Sequence, residues 1–118
     1  MAYAAINIHR VPTQHVDRFL RIEREAAELY RAHGAVGDAT YRAADLTAKY
    51  GCATFTDALA VSGAEVVFVG VVQFHDRGHQ EEVMAQADAD ERIGQLFTEE
   101  ARLLDLRRLV QGEFERVT

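Results

Sequence analysis

The chain has 118 residues, with 19 acidic residues against 13 Lys and Arg residues and a formal net charge of −6. This balance argues against nucleic acid or an anionic membrane as a partner, because both attract basic surfaces. The length predicts a single domain over residues 1–118. The one cysteine, Cys52, cannot form an internal disulfide, and no apolar run approaches about 18 residues. We therefore expect a soluble cytoplasmic protein without a membrane segment.

The first part of the chain predicts a strand, a helix and a second strand. Residues 3–11 alternate loosely between apolar and polar side chains and end at Pro12, as a strand would. Residues 13–33 repeat apolar side chains every three or four positions and predict a helix, with Thr13 as the N-cap candidate and Gly34 as the left-handed stop. Residues 35–46 predict a polar, edge-like strand.

The stretch Glu65–His75 carries the strongest pattern in the chain. Its eleven residues include five valines and two phenylalanines, a composition that favours a β-strand. Both faces of this strand are apolar, so it should be central in a sheet and covered on both sides. Residues 47–64 before it predict an irregular loop with one short helical turn near residues 57–61, and connections of this length are often lids or partner contacts.

The remaining residues predict a second helical region and a last strand. Asp76 is placed to cap a helix whose apolar stripe includes Val83 and Ala87. A further short helical segment is expected around Ile93. Residues 107–117 alternate again and predict the last strand, with one wetter face.

The order strand, helix, strand, strand, helix, strand is that of the ferredoxin-like split βαββαβ fold. This α+β fold has a four-stranded antiparallel sheet in the order 4-1-3-2, with both helices on one face. The other face would expose valines, and such a patch is too apolar for a monomer. We therefore expect a homodimer of the dimeric α+β barrel type, in which two sheets pack face to face.

Five short blocks follow one another along the chain: His33-Gly34-Ala35, Tyr50-Gly51, Glu65-Val66-Val67-Phe68, Arg77-Gly78-His79 and Gly112-Glu113-Phe114-Glu115. In order and approximate spacing they resemble the YbaA-like bacterial proteins, a domain-of-unknown-function family. The resemblance covers nearly the whole chain and implies a dimeric α+β barrel. The chain departs from the family pattern in residues 52–62 and at Ala89-Asp90-Glu91-Arg92, where Asp-Pro-Arg is more usual. Because the function of the family is unassigned, the resemblance implies no catalytic residue.

Polar side chains occur two residues apart on three of the predicted strands. They are Asn7 and His9, Gln73 and His75, and Gln111 and Glu113. If their faces match, they would bring together an imidazole acid or base, a carboxylate to orient it, and amides that can hold an oxyanion. The side chains expected to contact a ligand are Tyr41, Phe68, Gln73, His75, Gln111 and Glu113. In the alternative interpretation, the two histidines lie at strand ends and are solvated or bonded to the backbone.

Two hypotheses for the function follow. The first is a cofactor-independent enzyme, monooxygenase-like or isomerase-like, that acts on a small hydrophobic or aromatic molecule, with His9 as acid or base and Asn7 as its orienting or oxyanion-holding neighbour. The second is a non-catalytic dimeric module that binds a ligand or is associated with stress. A cavity of several hundred cubic ångströms beside Asn7 or His9 would favour the first, and a solidly packed sheet interface the second.

No cofactor and no metal site are expected. His75 and His79 are four residues apart, yet the first ends a predicted strand and the second opens a predicted helix. The two side chains therefore do not share a helical face, and no third ligand stands at a motif spacing.

Overall fold

The computed structural model describes residues 2–118, which form one antiparallel sheet with the three longer helices packed on one of its faces. The elements are β1 (Tyr3–Pro12), α1 (Val16–Ala32), β2 (Gly37–Arg42), α2 (Phe55–Ala58), β3 (Glu65–Phe74), α3 (Arg77–Asp88), α4 (Glu91–Ala101) and β4 (Val110–Glu115). Short 3-10 turns occur at Thr13–His15 and Leu106–Arg108. None of the helices in residues 2–118 is long and apolar enough to cross a membrane.

The strand order in the sheet is β2-β3-β1-β4, and all three pairings are antiparallel. Read from the other edge, this is the predicted 4-1-3-2 order, so the ferredoxin-like α+β fold is confirmed. The two central strands are β1 and the valine-rich β3, as the apolar faces of Glu65–His75 require. Asn7 of β1 lies opposite Gly70 of β3 on one side and Gln111 of β4 on the other.

The register divides the side chains of the sheet between a helix-covered face and a second face, which we call the open face. Directly opposed residues in an antiparallel sheet point to the same side. The register therefore assigns to the open face Ala4, Ile6, Ile8, Ala39, Tyr41, Val67, Val69, Val71, Val110 and Phe114. Tyr41 and Phe114 remain 61% and 56% exposed. The helix-covered face holds the alternate residues, including Asn7 and His9.

The core lies between α1, α4 and the helix-covered face. Phe19 and Phe68 are 0% and 1% exposed, and their ring centroids are 5.0 Å apart. Leu96 of α4 packs into the same cluster. Burial of side chains of this size contributes about 1.5–3 kcal/mol each, so this contact anchors α1 and α4 on the sheet.

The start of the first helix differs from the prediction. A 3-10 turn precedes α1, which begins at Val16. The hydroxyl of Thr13 does not cap that helix, because it donates a 2.9 Å hydrogen bond to the carbonyl oxygen of Ala64. A tertiary contact to the loop before β3 has thus replaced the local cap. The predicted stop is confirmed, since Gly34 has a φ of +109°.

Two other helix starts are set by aspartate side chains. The carboxylate of Asp76 accepts a 2.8 Å hydrogen bond from the backbone N–H of His79, which confirms the predicted cap of α3. Asp90 caps α4 in the same way, accepting from the N–H of Arg92 at 2.9 Å. The short α2 starts earlier than predicted, because Thr54 caps it.

Candidate functional site

A cavity of about 520 Å³ lies between the helix-covered face of the sheet and helices α1, α3 and α4. Its apolar wall includes Ile22, Val72, Phe74, Met84 and Phe97. Its polar wall comprises Asn7, His9, Glu23, Asp38, Gln80, Asp88, Glu100, Gln111 and Glu113. Apolar cavities of this volume with a few convergent polar groups are typical of small-molecule sites.

His9 is the buried imidazole of this cavity. It is 5% exposed, and its Nε2 lies 3.1 Å from Oε1 of Glu100 on α4. The ring packs edge-on against Phe19, with centroids 5.0 Å apart, while its Nδ1 has no hydrogen-bond partner. Packing and a single carboxylate therefore orient the imidazole, and part of its hydrogen-bonding capacity is unused.

Glu23 of α1 brings a second carboxylate to the same place. Its Oε2 accepts a 3.1 Å hydrogen bond from the hydroxyl of Thr40. Burial raises the pKa of Glu23 to about 7, and repulsion from Glu100 adds to the rise, while His9 opposes it. A carboxyl group with such a pKa can accept or donate a proton near neutral pH.

Asp38 of β2 is a further acid of the cavity. It is 8% exposed, and burial raises the pKa of its carboxyl group to about 6, an effect that Arg31 partly opposes. Arg31 donates its hydrogen bond to the backbone carbonyl of Asp38 instead of to the carboxylate. Within residues 2–118 the Asp38 carboxylate receives no hydrogen bond. It lines the cavity as a buried acid without a bonded cation.

Three of these groups are arranged so that they could hold a metal ion. His9, Glu23 and Glu100 each offer one ligand atom, and these atoms lie within 4.8 Å of one another. One imidazole nitrogen and two carboxylate oxygens form a donor set that divalent transition metals accept. The histidine pair weighed from the sequence is arranged differently. The rings of His75 and His79 stack 4.7 Å apart, and Nδ1 of His79 accepts a hydrogen bond from the backbone N–H of His75.

Four of the residues singled out in the sequence meet in this cavity: Asn7, His9, Gln111 and Glu113. Glu113 is held from two sides. Its Oε1 accepts a 2.6 Å hydrogen bond from the hydroxyl of Tyr3, and its Oε2 accepts one at 3.3 Å from the amide of Gln80. The faces of the first and last strands therefore match, as the predicted convergence requires.

The other candidates lie elsewhere. Gln73 follows Val72 by one residue, so it points to the open face, where Tyr41 also lies. His75 is beyond the end of β3 and is exposed. Phe68 is buried in the core, packed against Phe19. These four side chains do not share the cavity wall with His9.

Sequence reasoning missed Glu23, Asp38 and Glu100. A usable pattern was present, because Glu23 stands four residues after Phe19 and Glu100 four residues after Leu96. Residues four apart share one face of a helix, so both glutamates lie on the apolar stripe of an amphipathic helix. A carboxylate in that position needs a polar partner under the helix, and here it is His9.

Solved structures of known proteins share this fold at low sequence identity. A variant of SnoaB, a cofactor-independent oxygenase from Streptomyces nogalater, matches with a TM-score of 0.66 and 13% identity over 99% of this chain and 94% of its own. Rv0793 from Mycobacterium tuberculosis matches at 0.61 with 15% identity, over 100% and 97% of the two chains. A dimeric ferredoxin-like protein from an uncultured marine organism matches at 0.63 with 11% identity, over 99% and 96%.

Sequence comparisons give a family without an activity. No curated protein matches the chain. A family profile covers residues 2–104, which include every helix and the first three strands. On that match, the chain belongs to the family described as "Protein of unknown function (DUF1428)".

Proposed function

We propose that this protein is a cofactor-independent enzyme, isomerase-like or monooxygenase-like, that removes a proton from a small hydrophobic or aromatic molecule. The observation that supports this proposal best is the cavity of about 520 Å³, in which buried His9 lies beside Asn7 under an apolar wall. A cavity of several hundred cubic ångströms beside these residues is the feature that favours an enzyme over a binding module. The proposal is also supported by SnoaB, which has the same fold and is a cofactor-independent oxygenase.

In the proposed mechanism, His9 is the catalytic base. Nδ1 of His9, which has no hydrogen-bond partner, accepts a proton from a phenol or from a carbon next to a carbonyl group, while Nε2 stays protonated and faces the Glu100 carboxylate, which stabilises the resulting imidazolium. The side-chain amide of Asn7 donates a hydrogen bond to the substrate oxygen, where negative charge develops. An isomerase then returns the proton to another carbon. A monooxygenase-like reaction instead requires O₂ as the second substrate.

The first test uses phenylacetone, a neutral aromatic ketone whose protons next to the carbonyl exchange slowly in D₂O. We expect the protein to accelerate this exchange, as followed by proton NMR. His9→Gln should reduce the acceleration by about 100-fold or more, the usual contribution of a general base. His15→Gln is the matched control, because His15 lies in the turn before α1, is not among the residues that line the cavity, and should leave the rate unchanged.

The same experiment distinguishes an enzyme from a binding module. Binding of phenylacetone without accelerated exchange, together with no O₂ consumption on a panel of phenols, would identify a non-catalytic ligand-binding protein. Equal exchange rates for the unmodified protein and His9→Gln would remove His9 from the mechanism. The circular dichroism spectra of His9→Gln and His15→Gln should match the spectrum of the unmodified protein, because in each variant glutamine replaces the imidazole with a side chain of comparable length.

We also propose that residues 1–118 act as a single domain and pair as a homodimer through the open face. The support is the row of apolar side chains that the helices leave uncovered, with Val110 43% exposed at one edge. A further support is that a ferredoxin-like protein of the same fold is dimeric. We further propose a relationship to the YbaA-like proteins, which the five sequence blocks support. The free, exposed Cys52 supports a reducing, cytoplasmic location.

A further inference from the structure

The cavity is lined by more acidic than basic side chains. Five acids line it: Glu23, Asp38, Asp88, Glu100 and Glu113. Its lining includes His9 but no lysine or arginine. The chain as a whole has 13 Lys and Arg residues, so this lack belongs to the cavity and not to the composition.

The basic side chains near the same helices lie on their outer side. Arg18, Arg21, Arg92 and Arg102 border a separate groove along α1 and α4. There Arg92 donates to Glu25, so this acid outside the cavity has a counter-ion. Arg31 approaches Asp38 but bonds to its backbone oxygen. The fold thus keeps guanidinium groups away from the carboxylates of the cavity.

We propose that the substrate of this cavity is an arylalkylamine, in which an alkyl chain joins an aromatic ring to an amino group, and that it binds as its protonated ammonium form. This proposal rests on the proposed function, because it names the substrate class of the same site. Buried carboxylates are normally paired with a cation or a metal. Asp38 is only 8% exposed and has no bonded cation. The ligand is therefore expected to supply the positive charge.

The remaining wall suits the aromatic part of such a molecule. Tyr30, Phe74 and Phe97 line the cavity together with Met84. Aromatic faces attract ammonium groups, and methionine sulfur packs well against rings. Tyr30 lies near the acids: burial raises the pKa of its hydroxyl group, and the negative charges of Asp38 and Asp88 add to the rise. The aromatic and acidic parts of the wall are therefore adjacent.

The volume favours an organic cation over a metal ion. A single ion at His9, Glu23 and Glu100 would fill a small part of about 520 Å³ and leave Asp38 unpaired. An arylalkylammonium ion can neutralise one acid and also cover the apolar wall. Anionic molecules such as carboxylates and phosphates are disfavoured, because they would approach several acids without a guanidinium or an ammonium group to bind them.

The test compares three ligands that share one phenol ring and differ in charge: tyramine, tyrosol and 4-hydroxyphenylacetate. Affinities are measured by NMR titration in a buffer that contains EDTA. We expect tyramine to bind at least about 10-fold more tightly than the neutral tyrosol, and 4-hydroxyphenylacetate to bind most weakly. Asp38→Asn should reduce the affinity for tyramine about 5-fold or more and leave the affinity for tyrosol within about 2-fold.

Glu28→Gln is the matched control, because it removes one negative charge from the exposed side of α1. It should change none of the three affinities by more than about 2-fold. Tyrosol binding as tightly as tyramine would overturn the amine assignment and leave the proposed enzyme intact. Binding of Zn²⁺ in EDTA-free buffer, lost in Glu23→Gln, with no binding of tyramine would identify a metal site and overturn the assignment. Failure of all three ligands to bind would overturn it as well, whereas the phenylacetone experiment tests the proposed function separately.

Discussion

Gly70 is the position at which the central strand leaves room for the cavity. It is a buried residue of β3 that faces the cavity, with Asn7 opposite it on β1. A Cβ atom added there would lie 3.9 Å from Cε1 of His9 and 4.0 Å from Cβ of Asn7, which are ordinary contact distances. The backbone can therefore accept a side chain at this position, and the additional atoms would extend into the cavity.

We predict that Gly70→Val reduces the affinity for tyramine and tyrosol about 10-fold or more while the fold is retained. Valine favours the strand conformation that glycine weakens by about 0.5–1 kcal/mol, so the free energy of unfolding should stay equal or rise slightly. Urea unfolding and NMR titration measure the two effects. Gly63→Val, in an exposed loop with no atom near its added Cβ, serves as the control and should leave both affinities unchanged.

At the level of residues, the sequence predicted most of the sheet side of the cavity and not its helix side. Asn7, His9, Gln111 and Glu113 were found because strand alternation is short-range and places residues two apart on one face. Glu23 and Glu100 were missed because a charge on a helix is usually solvated, and only the packing of α1 and α4 over β1 shows that these two acids face His9. Asp38 was missed because it lies in a strand with a polar, edge-like composition, where an acid is expected to be exposed.

The junction between α1 and α4 contains a second histidine–carboxylate pair. Nε2 of His33, at the end of α1, lies 2.7 Å from Oδ2 of Asp90, the N-cap of α4. Hydrogen bonding to Asp90 raises the pKa of His33, and the same contact lowers the pKa of Asp90. Each group therefore favours its charged form in the folded protein.

We predict that this pair makes stability depend on pH. Because the pKa of His33 is raised, its contribution is complete below the unfolded value of about 6.5 and is lost as the pH rises through the folded value. The contribution of Asp90 is present above about pH 3.8 and is lost as the pH falls through its lowered pKa. The pair should therefore stabilise the fold most between about pH 4 and 6.5.

The measurement is a double-mutant cycle with His33→Asn and Asp90→Asn in urea. The coupling energy between the two positions should be larger at about pH 5.5 than at about pH 8.5. An unchanged coupling energy at the two pH values would contradict an ionised pair. The single variant Asp90→Asn keeps a hydrogen-bond acceptor at the N-cap, so the cycle isolates the contact with His33.

At the level of elements, patterns with strong periodicity predicted the structure well. The valine-rich β3 and the helix capped by Asp76 were found close to their observed positions. The start of α1 was misplaced because Thr13 bonds to Ala64, 51 residues away along the chain. Local sequence cannot indicate that a capping side chain has been recruited by a distant loop.

At the scale of the whole molecule, the open face is the surface through which we propose that two copies pair. We predict that the unmodified protein sediments as a dimer, because the apolar side chains of the open face need a cover. Val71→Asp should yield monomers or unfolded protein, since a charge buried between two sheets costs several kcal/mol. Analytical ultracentrifugation measures the outcome. A stable monomer of the unmodified protein would refute the predicted pairing.

Thr98→Asp is the control for the added charge. It introduces the same side chain on the exposed surface of α4, away from the open face. This variant should sediment like the unmodified protein. A comparison of the two aspartates therefore separates the loss of an apolar interface from a general effect of net charge.

At this scale the sequence predicted the architecture from two properties, the order of elements and the apolarity of both faces of β3. The volume left between the sheet and the helices could not be predicted. This volume depends on how small residues of the sheet, such as Gly70 and Ala5, pack against the side chains of three helices. A local sequence pattern does not contain this information.

The alternation of side chains along β3 makes the two surfaces of the sheet separately adjustable. Gly70 and Val72 line the cavity, whereas Val69 and Val71 belong to the open face. Substitutions at positions 70 and 72 are therefore expected to change the proposed ligand binding and to leave the open face as it is. Substitutions at positions 69 and 71 are expected to change the proposed pairing of two copies and to leave the cavity as it is.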